Sequence, residues 1–187
     1  DYLPGDPLNN INWKATARTG SLQVHKRDYT ADPKIMVYLN MDVTRDMWGP
    51  ITRPRLIENG ISYAASIIYH GISKGIPAGF GCNGYIVDEP KQPIRVLPQN
   101  GEGQLDHLFE IMAKLAMDRS ITFHTFLEDD INAGDAGAFI GSVDYLFITA
   151  FVTDSMKNQI KQLENMGNSV EILWLKDSQK EGDGNEG

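Results

Sequence analysis

Residues 35–50 read IMVYLNMDVTRDMWGP, and the predicted fold depends on this stretch. It begins with an almost continuous apolar run, which is typical of a strand buried on both faces of a parallel sheet. The run is followed by three oxygen-bearing side chains at alternate positions, Asp42, Thr44 and Asp46. The sequence therefore predicts a central strand that leads directly into a polar loop.

Helix and strand patterns alternate on the C-terminal side of this loop. Pro54 is suited to open a helix and Gly75 to end it. Residues 76–81 predict a second strand, and residues 85–101 predict a hairpin at an exposed edge, because prolines interrupt it. The remaining segments predict a helix that includes Leu105, Leu115 and Ala116, a short helix at residues 121–131, a strand at 144–152, a helix ending at Gly167, and a last strand at 170–175.

This order of elements predicts an α/β fold with a doubly wound, mostly parallel sheet and helices on both faces. Ligands of such sheets bind outside the carboxyl ends of the strands, where the loop with Asp42 falls. Trp174, in the last strand, is expected in the core. The acidic run at residues 128–130 is expected to be a solvated helix end.

The composition limits the classes of function. A net charge of −8 repels phosphate backbones, so a nucleic-acid partner is disfavoured. The single cysteine, Cys82, excludes an internal disulfide and a cysteine-based zinc cluster. No apolar run is long enough for a membrane span, so the chain as given is expected to be soluble. The tail at residues 177–187 has no apolar residue and is expected to be disordered.

Three interpretations of the polar loop remain open from the residues alone. Asp42, Thr44 and Asp46 offer hard oxygen donors that suit Mg²⁺, Mn²⁺ or Ca²⁺. An EF-hand is excluded, because Met47 stands where the loop needs glycine. Alternatively, Asp42 and Thr44 cap the next helix and satisfy loop amides. A third possibility is Mg²⁺-dependent phosphoryl transfer with Asp42 as nucleophile or metal ligand, although no phosphate-cradling loop accompanies it.

The N-terminal segment carries a more specific signal. Residues 2–24, YLPGDPLNNINWKATARTGSLQV, predict a helix that opens at Asp6 and Pro7. They resemble the signature of the bacterial and archaeal family domain of unknown function 58, which reads Y-x-x-G-D-x-x-R-x-I-N-W-K-A-x-A-R before a short strand and a von Willebrand factor A-like domain. The matching positions are Tyr2, Gly5, Asp6, Ile11, Asn12, Trp13, Lys14, Ala15, Ala17 and Arg18.

This resemblance implies a domain organisation. Residues 1–30 would be the signature segment packed on the main domain, residues 31–176 a von Willebrand factor A-like domain, and residues 177–187 the tail. Family members carry N-terminal membrane helices and are encoded beside MoxR-type AAA+ ATPases. The full-length protein is therefore expected to be membrane-anchored through a segment upstream of Asp1, with this domain in the cytoplasm.

The resemblance also implies a cation site, with departures. The metal-ion-dependent adhesion site of von Willebrand A domains resembles D-x-S-x-S at the end of the first strand, and Asp42 and Thr44 match its first two positions. Asp46 replaces the second serine, and Ala150 stands where an aspartate after a later strand is expected, with Asp154 four residues late. We expect a partial Mg²⁺ or Mn²⁺ site with weak or no affinity.

The function expected from these features is a non-enzymatic protein-interaction module that works with a MoxR-type ATPase in complex assembly. Trp48 and Trp13 are candidate partner-binding residues because exposed tryptophans anchor interfaces, although burial in the core is the alternative for each. Lys14 and Arg18 share one face of the first helix and are candidates too. Asn9 and Asn10 stand where the family carries arginine, so one basic contact is missing. A metal-free structural scaffold is the remaining alternative.

Overall fold

The apolar run at residues 35–39 forms the central strand, as the sequence predicts. A computed structural model of the chain describes residues 33–44, 51–132 and 143–176. Strand β1 (Ile35–Leu39) has a neighbour on each side, and every residue from Met36 onward is inaccessible to solvent. The predictions for residues 1–30 and for the tail lie outside the described residues.

The other elements follow the order that the sequence predicts, with differences at two places. The helices are α1 (Pro54–Ser73), α2 (Glu102–Ala113), α3 (Phe123–Asn132) and α4 (Asp154–Asn165). The further strands are β2 (Ala78–Cys82), β3 (Gly84–Ile86), β4 (Ile94–Gln99), β5 (Leu115–Arg119), β6 (Asp144–Thr149) and β7 (Ser169–Trp174).

Local chemistry explains the ends of the helices. Pro54 lies at the first position of α1, where its missing N–H has no intrahelical acceptor to lose. Gly75 follows the end of α1 with a φ of 79°, in the left-handed region that glycine adopts without strain. The hydroxyl of Thr153 caps α4 by accepting a hydrogen bond from the N–H of Met156 at 3.2 Å.

The main sheet has five strands in the order β4-β2-β1-β6-β7. Strand β1 is parallel to both β2 and β6, and β7 is parallel to β6. Strand β4 is antiparallel to β2 and forms an edge. The chain moves from β1 outward to β2 and later returns to the other side of β1 with β6. The direction of winding therefore reverses between β1 and β6, which is where ligands bind in open α/β sheets.

Helices cover both faces of the sheet. Alternate residues of a strand point to opposite faces, and β1 divides accordingly. Val37 and Leu39 belong to a core with the apolar residues of α1 and α2. Met36 and Tyr38 belong to a second core with α3 and α4, which we call the α3–α4 face. The predicted α/β class and mostly parallel sheet are confirmed.

The predicted hairpin at residues 85–101 is wrong. Strand β4 pairs with β2, for example Phe80 with Val96, whereas β3 pairs with β5 in a separate two-stranded sheet. Pairing β4 with β2 covers an edge of the main sheet that would otherwise be open. Its position as the edge strand is the one that its prolines predict.

The helix predicted to reach Ala116 ends earlier, at Ala113. Leu115 and Ala116 continue the helical spacing of apolar residues but begin β5, where Leu115 pairs with Ile86 of β3. Pairing between segments therefore overrides the local pattern at this point.

One expectation about burial is wrong, and another is wrong in part. Trp174 is 48% exposed, because it ends β7 at the edge of the sheet. Of the acidic run, Glu128 and Asp129 are exposed as expected, but Asp130 is only 4% exposed. Across the described ranges, no helix combines the length and the apolar character needed to cross a membrane.

Candidate functional site

The carboxylate of Asp42 lies at the carboxyl end of the central strand and is engaged by three protein donors. Asp42 is 6% exposed. Its Oδ1 accepts hydrogen bonds from Nη1 of Arg119 at 2.8 Å and from Nδ2 of Asn83 at 3.3 Å. Its Oδ2 accepts from the backbone N–H of Phe123 at 2.9 Å. One side chain thus connects the loop after β1 with the ends of β2 and β5 and the start of α3.

Asp42 and Arg119 form an ion pair that is largely shielded from water. Their side chains are 8% and 19% exposed. Arg119 is the last residue of β5, where it is paired with Gly84, and its backbone N–H donates to Oδ1 of Asp118 at 2.8 Å. Removing one partner of a buried pair leaves the other charge uncompensated, which costs about 3–5 kcal/mol. The guanidinium is therefore a structural part of this site.

Asn83 joins the loops around Asp42 and is fully buried. Its Oδ1 accepts from the N–H of Met41 at 2.8 Å, and its Nδ2 donates to the carbonyl of Ile121 at 2.9 Å as well as to Asp42. Its own carbonyl accepts from the N–H of Ser120 at 2.8 Å. Because each polar group of this amide has a partner, Asn83 fixes three loops relative to one another.

A second polar link spans the point where the winding reverses. Nδ2 of Asn40 donates to Oγ1 of Thr149, at the end of β6, at 2.9 Å. The hydroxyl of Thr149 in turn donates to the carbonyl of Phe151 at 2.7 Å, and Oδ1 of Asn40 accepts from the N–H of Asp42 at 2.9 Å. Asn40 and Thr149 are both inaccessible to solvent. The side chains of Asn40 and Thr149 thus bridge the carboxyl ends of β1 and β6, and Asn40 also fixes the backbone at Asp42.

The structure describes two of the three residues that the sequence groups into one cation site. Asp42 is buried, whereas Thr44 is exposed on the rim of the loop. Asp154 begins α4 with a side chain that is 94% exposed and paired with Lys157 at 2.9 Å. The remaining candidates, Asp46, Trp48, Trp13, Lys14 and Arg18, lie outside the described residues.

The described residues do not fit a divalent ion as they are arranged. Metal coordination needs oxygen lone pairs, whereas N–H donors of Arg119, Asn83 and Phe123 already point at the carboxylate of Asp42. At about 4 Å and an effective dielectric constant of about 20, an added ion and the guanidinium would repel by roughly 4 kcal/mol per unit of ion charge. Among the described residues, no three His, Cys, Asp or Glu side chains are grouped as ligands. The three-residue site with Asp46 stays a prediction.

The same contacts bear on the chemistry open to Asp42. The carboxylate oxygens of Asp42 are already engaged by the guanidinium of Arg119 and by two further N–H donors, so their lone pairs are not directed at a substrate. Its oxygens are also shielded from an approaching phosphate ester. The geometry therefore lends the phosphoryl-transfer alternative no support.

Sequence reasoning missed Asn83 and Arg119. Asn83 was visible as a polar residue shortly after the predicted second strand. Arg119 offered no signal, because the sequence places it after a predicted helix. Its role depends on the pairing of β5 with β3, which brings it to the carboxyl edge.

A second buried polar cluster lies on the α3–α4 face. The hydroxyl of Tyr38 donates to Oδ2 of Asp130, whose other oxygen is paired with Nε of Arg95 from β4. Burial raises the pKa of Tyr38 well above its usual range, and the negative charge of Asp130 adds to the shift. This cluster explains why the last acidic residue of the 128–130 run is buried.

Comparisons with known proteins show a distant likeness only. No family model and no curated protein matches the chain. Among solved structures, it is similar to the pilus adhesin SpaC of Lactobacillus rhamnosus GG at 11% identity, with a TM-score of 0.48 over 81% of this chain and 26% of that one. The open conformation of the same adhesin gives a TM-score of 0.45 at 11% identity, over 81% and 25% of the two chains. The chain thus spans about a quarter of the length of these adhesin chains.

Proposed function

We propose that this chain is a non-enzymatic protein-interaction module with a von Willebrand factor A-like fold. The observation that carries the proposal is the position of Asp42 at the carboxyl edge of β1, beside the reversal of winding between β1 and β6. Loops at such a position form the binding surface of open α/β sheets. Here Asn83 and Arg119 hold Met41 and Asp42 at the start of the loop, while Thr44 is exposed on the rim.

Rigid support and an exposed rim suit binding better than catalysis. A pre-organised loop loses little conformational entropy when it binds, which favours affinity. The carboxylate of Asp42 is buried and bonded to three protein donors, so its role is to hold the loop. Thr44 on this rim is accessible to a partner, and the tryptophan at position 48 follows it in sequence.

The partner that we propose is a MoxR-type AAA+ ATPase, on the resemblance of residues 2–24 to domain of unknown function 58. In that setting the domain is a cytoplasmic part of a membrane-anchored protein and takes part in complex assembly. Trp13, Lys14 and Arg18 of the signature segment would add contacts to the same partner. A nucleic-acid partner is disfavoured by the net charge of −8.

Substitution on the rim tests this proposal. Thr44→Arg places a long charged side chain on the rim, and Ser73→Arg makes a similar change at the exposed end of α1, at the opposite edge of the sheet. We expect Thr44→Arg to weaken the binding of the full-length protein to the MoxR-type ATPase encoded beside it by roughly tenfold or more. Loss of a contact at the centre of an interface has an effect of this size. Ser73→Arg should bind like the wild type in the same biolayer interferometry assay.

Two results would count against the proposal. If the wild type shows no affinity for the ATPase with or without nucleotide, the partner is wrong. If Thr44→Arg and Ser73→Arg weaken binding equally, the carboxyl-edge rim is not the binding surface. Far-UV circular dichroism of both variants establishes that each is folded.

A further inference from the structure

We propose that the guanidinium of Arg119 supplies the positive charge beside Asp42 at the carboxyl edge of the sheet, in place of a divalent metal ion. The domain then holds the loop that contains Asp42 without bound metal. The inference refines the proposed function, because the same loop carries the rim, but it can be tested without any partner. It also accounts for the departures of the sequence from an adhesion-type cation site. A loop that is held by an internal cation has no need of the ligands that are missing.

The contacts of Asp42 support this role directly. Nη1 of Arg119 lies 2.8 Å from Oδ1 of Asp42, in a pair whose side chains are 19% and 8% exposed. A guanidinium carries its charge at any physiological pH and presents N–H donors in a fixed plane. It therefore supplies positive charge at the position where a cation would contact this carboxylate.

Arg119 reaches this position from a rigid element. It pairs with Gly84 in the sheet of β3 and β5, and the next residue, Ser120, donates from its backbone and its hydroxyl to the carbonyl of Asn83 at 2.8 and 3.0 Å. Asn83 is itself bonded to Asp42. Asn83 is thus hydrogen-bonded both to Ser120, the residue after Arg119, and to the side chain of Asp42. Because both partners of the ion pair are held in this way, little side-chain freedom is lost when the pair forms.

The other hydrogen-bond donors to Asp42 also disfavour a metal ion at its carboxylate. The N–H of Phe123, at the start of α3, points at Oδ2, and the amide of Asn83 points at Oδ1. An ion at either oxygen would face these hydrogens as well as the guanidinium. Coordination would require the start of α3 and the end of β5 to move together, which the packing of Phe123 in the α3–α4 face opposes.

Unfolding experiments test the structural role of the pair. In EDTA, we expect Arg119→Gln and Asp42→Asn each to lower the melting temperature by roughly 5 °C or more. The double variant should lose clearly less than the two losses combined, because neither charge is then left buried alone. The matched control is Lys91→Gln, which removes an exposed lysine (61% exposed) from its pair with Asp118 on the same small sheet. An exposed pair contributes little, so the control should melt near the wild type.

A metal titration separates this inference from its opposite. We expect calorimetric titration of the wild type with Mn²⁺ or Mg²⁺ to give only heats of dilution, and neither ion should change its melting temperature. Stoichiometric Mn²⁺ binding that Asp42→Asn abolishes would overturn the inference, and so would an Arg119→Gln variant as stable as Lys91→Gln. If Arg119→Gln does not fold, Arg119→Lys takes its place and the wild-type titration still decides. Neither readout involves the ATPase, so a negative result for the proposed partner would not affect this test.

Discussion

Two buried tyrosines on the α3–α4 face have the same side chain but different surroundings. The hydroxyl of Tyr38 donates to the buried carboxylate of Asp130, whereas the hydroxyl of Tyr145 has no hydrogen-bond partner among the described residues. Tyr38→Phe should therefore reduce the free energy of unfolding by about 1.5–3 kcal/mol, the range for a hydrogen bond to a charged group. Tyr145→Phe should leave it unchanged or raise it slightly, because it removes a buried hydroxyl that makes no bond.

Urea unfolding at neutral pH measures both variants on one scale. Each change removes one oxygen from a ring that is packed in the same aromatic cluster, so packing losses are matched. Equal losses in the two variants would mean that the hydroxyl of Tyr38 contributes no more than that of Tyr145, contrary to the contacts described above.

At the same residue scale, the sequence located one member of the candidate site and not its partners. The apolar run before Asp42 was enough to place this side chain at a carboxyl edge. Its partners Asn83 and Arg119 are 41 and 77 residues away in sequence. Contacts over such separations depend on the register between strands, which no local pattern of residues specifies. The same reason explains the burial of Asp130, whose partner Tyr38 is 92 residues away.

Close approach between β2 and β4 gives a prediction at the scale of elements. A Cβ added to Gly79 would lie 2.5 Å from the carbonyl oxygen of Val96 and 2.7 Å from the backbone nitrogen of Pro98. Backbone atoms of a paired strand cannot move aside as a side chain can. Gly79→Ala should therefore lower the free energy of unfolding by about 1–3 kcal/mol, the usual cost of overpacking.

Gly103→Ala is the matched control for Gly79→Ala. A Cβ at Gly103, within α2, meets no described atom within 4 Å. There alanine should stabilise the protein by up to about 1 kcal/mol, because it favours the helix over the unfolded chain. Chemical denaturation of both variants provides the test, and a loss of stability in both would show that the contact at β4 is not the cause.

Most elements were predicted because their apolar residues form a continuous run, as in a buried strand, or repeat with the period of a helix over several turns. The central strand, α1, α3 and α4 belong to this group. The errors occur where a segment satisfies more than one pattern. Leu115 and Ala116 fit the helix before them, and residues 85–101 fit a hairpin, but each strand has a partner elsewhere in the chain. Which strand pairs with which is determined in the assembled sheet, so local sequence patterns could not predict it.

At the scale of the whole molecule, the sheet separates two kinds of interior. One face is mainly aliphatic, with α1 and α2 packed on Val37 and Leu39. The α3–α4 face is aromatic and contains the ion pair of Arg95 and Asp130. Several ionisable groups are consequently buried in their neutral forms on the two sides, and the stability of the whole domain must depend on pH where these groups would otherwise lose protons.

Alkaline pH should therefore destabilise the folded protein. Burial raises the pKa of Cys82 to about 12 from 9.0, and burial together with the charge of Asp130 raises the pKa of Tyr145 to about 12 from 10.0. Above their ordinary pKa values, the unfolded chain releases protons that the folded chain keeps. Their contribution is complete below about pH 9 and is lost as the pH rises toward 12, at up to about 1.4 kcal/mol per pH unit for each group.

Urea unfolding at a series of pH values from about 8 to about 11 measures this dependence. Cys82 is the first of these groups to be affected, so Cys82→Ala should flatten the curve between about pH 9 and 10 while leaving the steeper tyrosine-dependent fall above pH 10. The readout is the slope, so any constant loss from the smaller side chain does not interfere. A wild-type stability that stays level up to pH 11 would contradict burial of these groups in neutral form. A slope unchanged by Cys82→Ala would contradict the part assigned to the thiol.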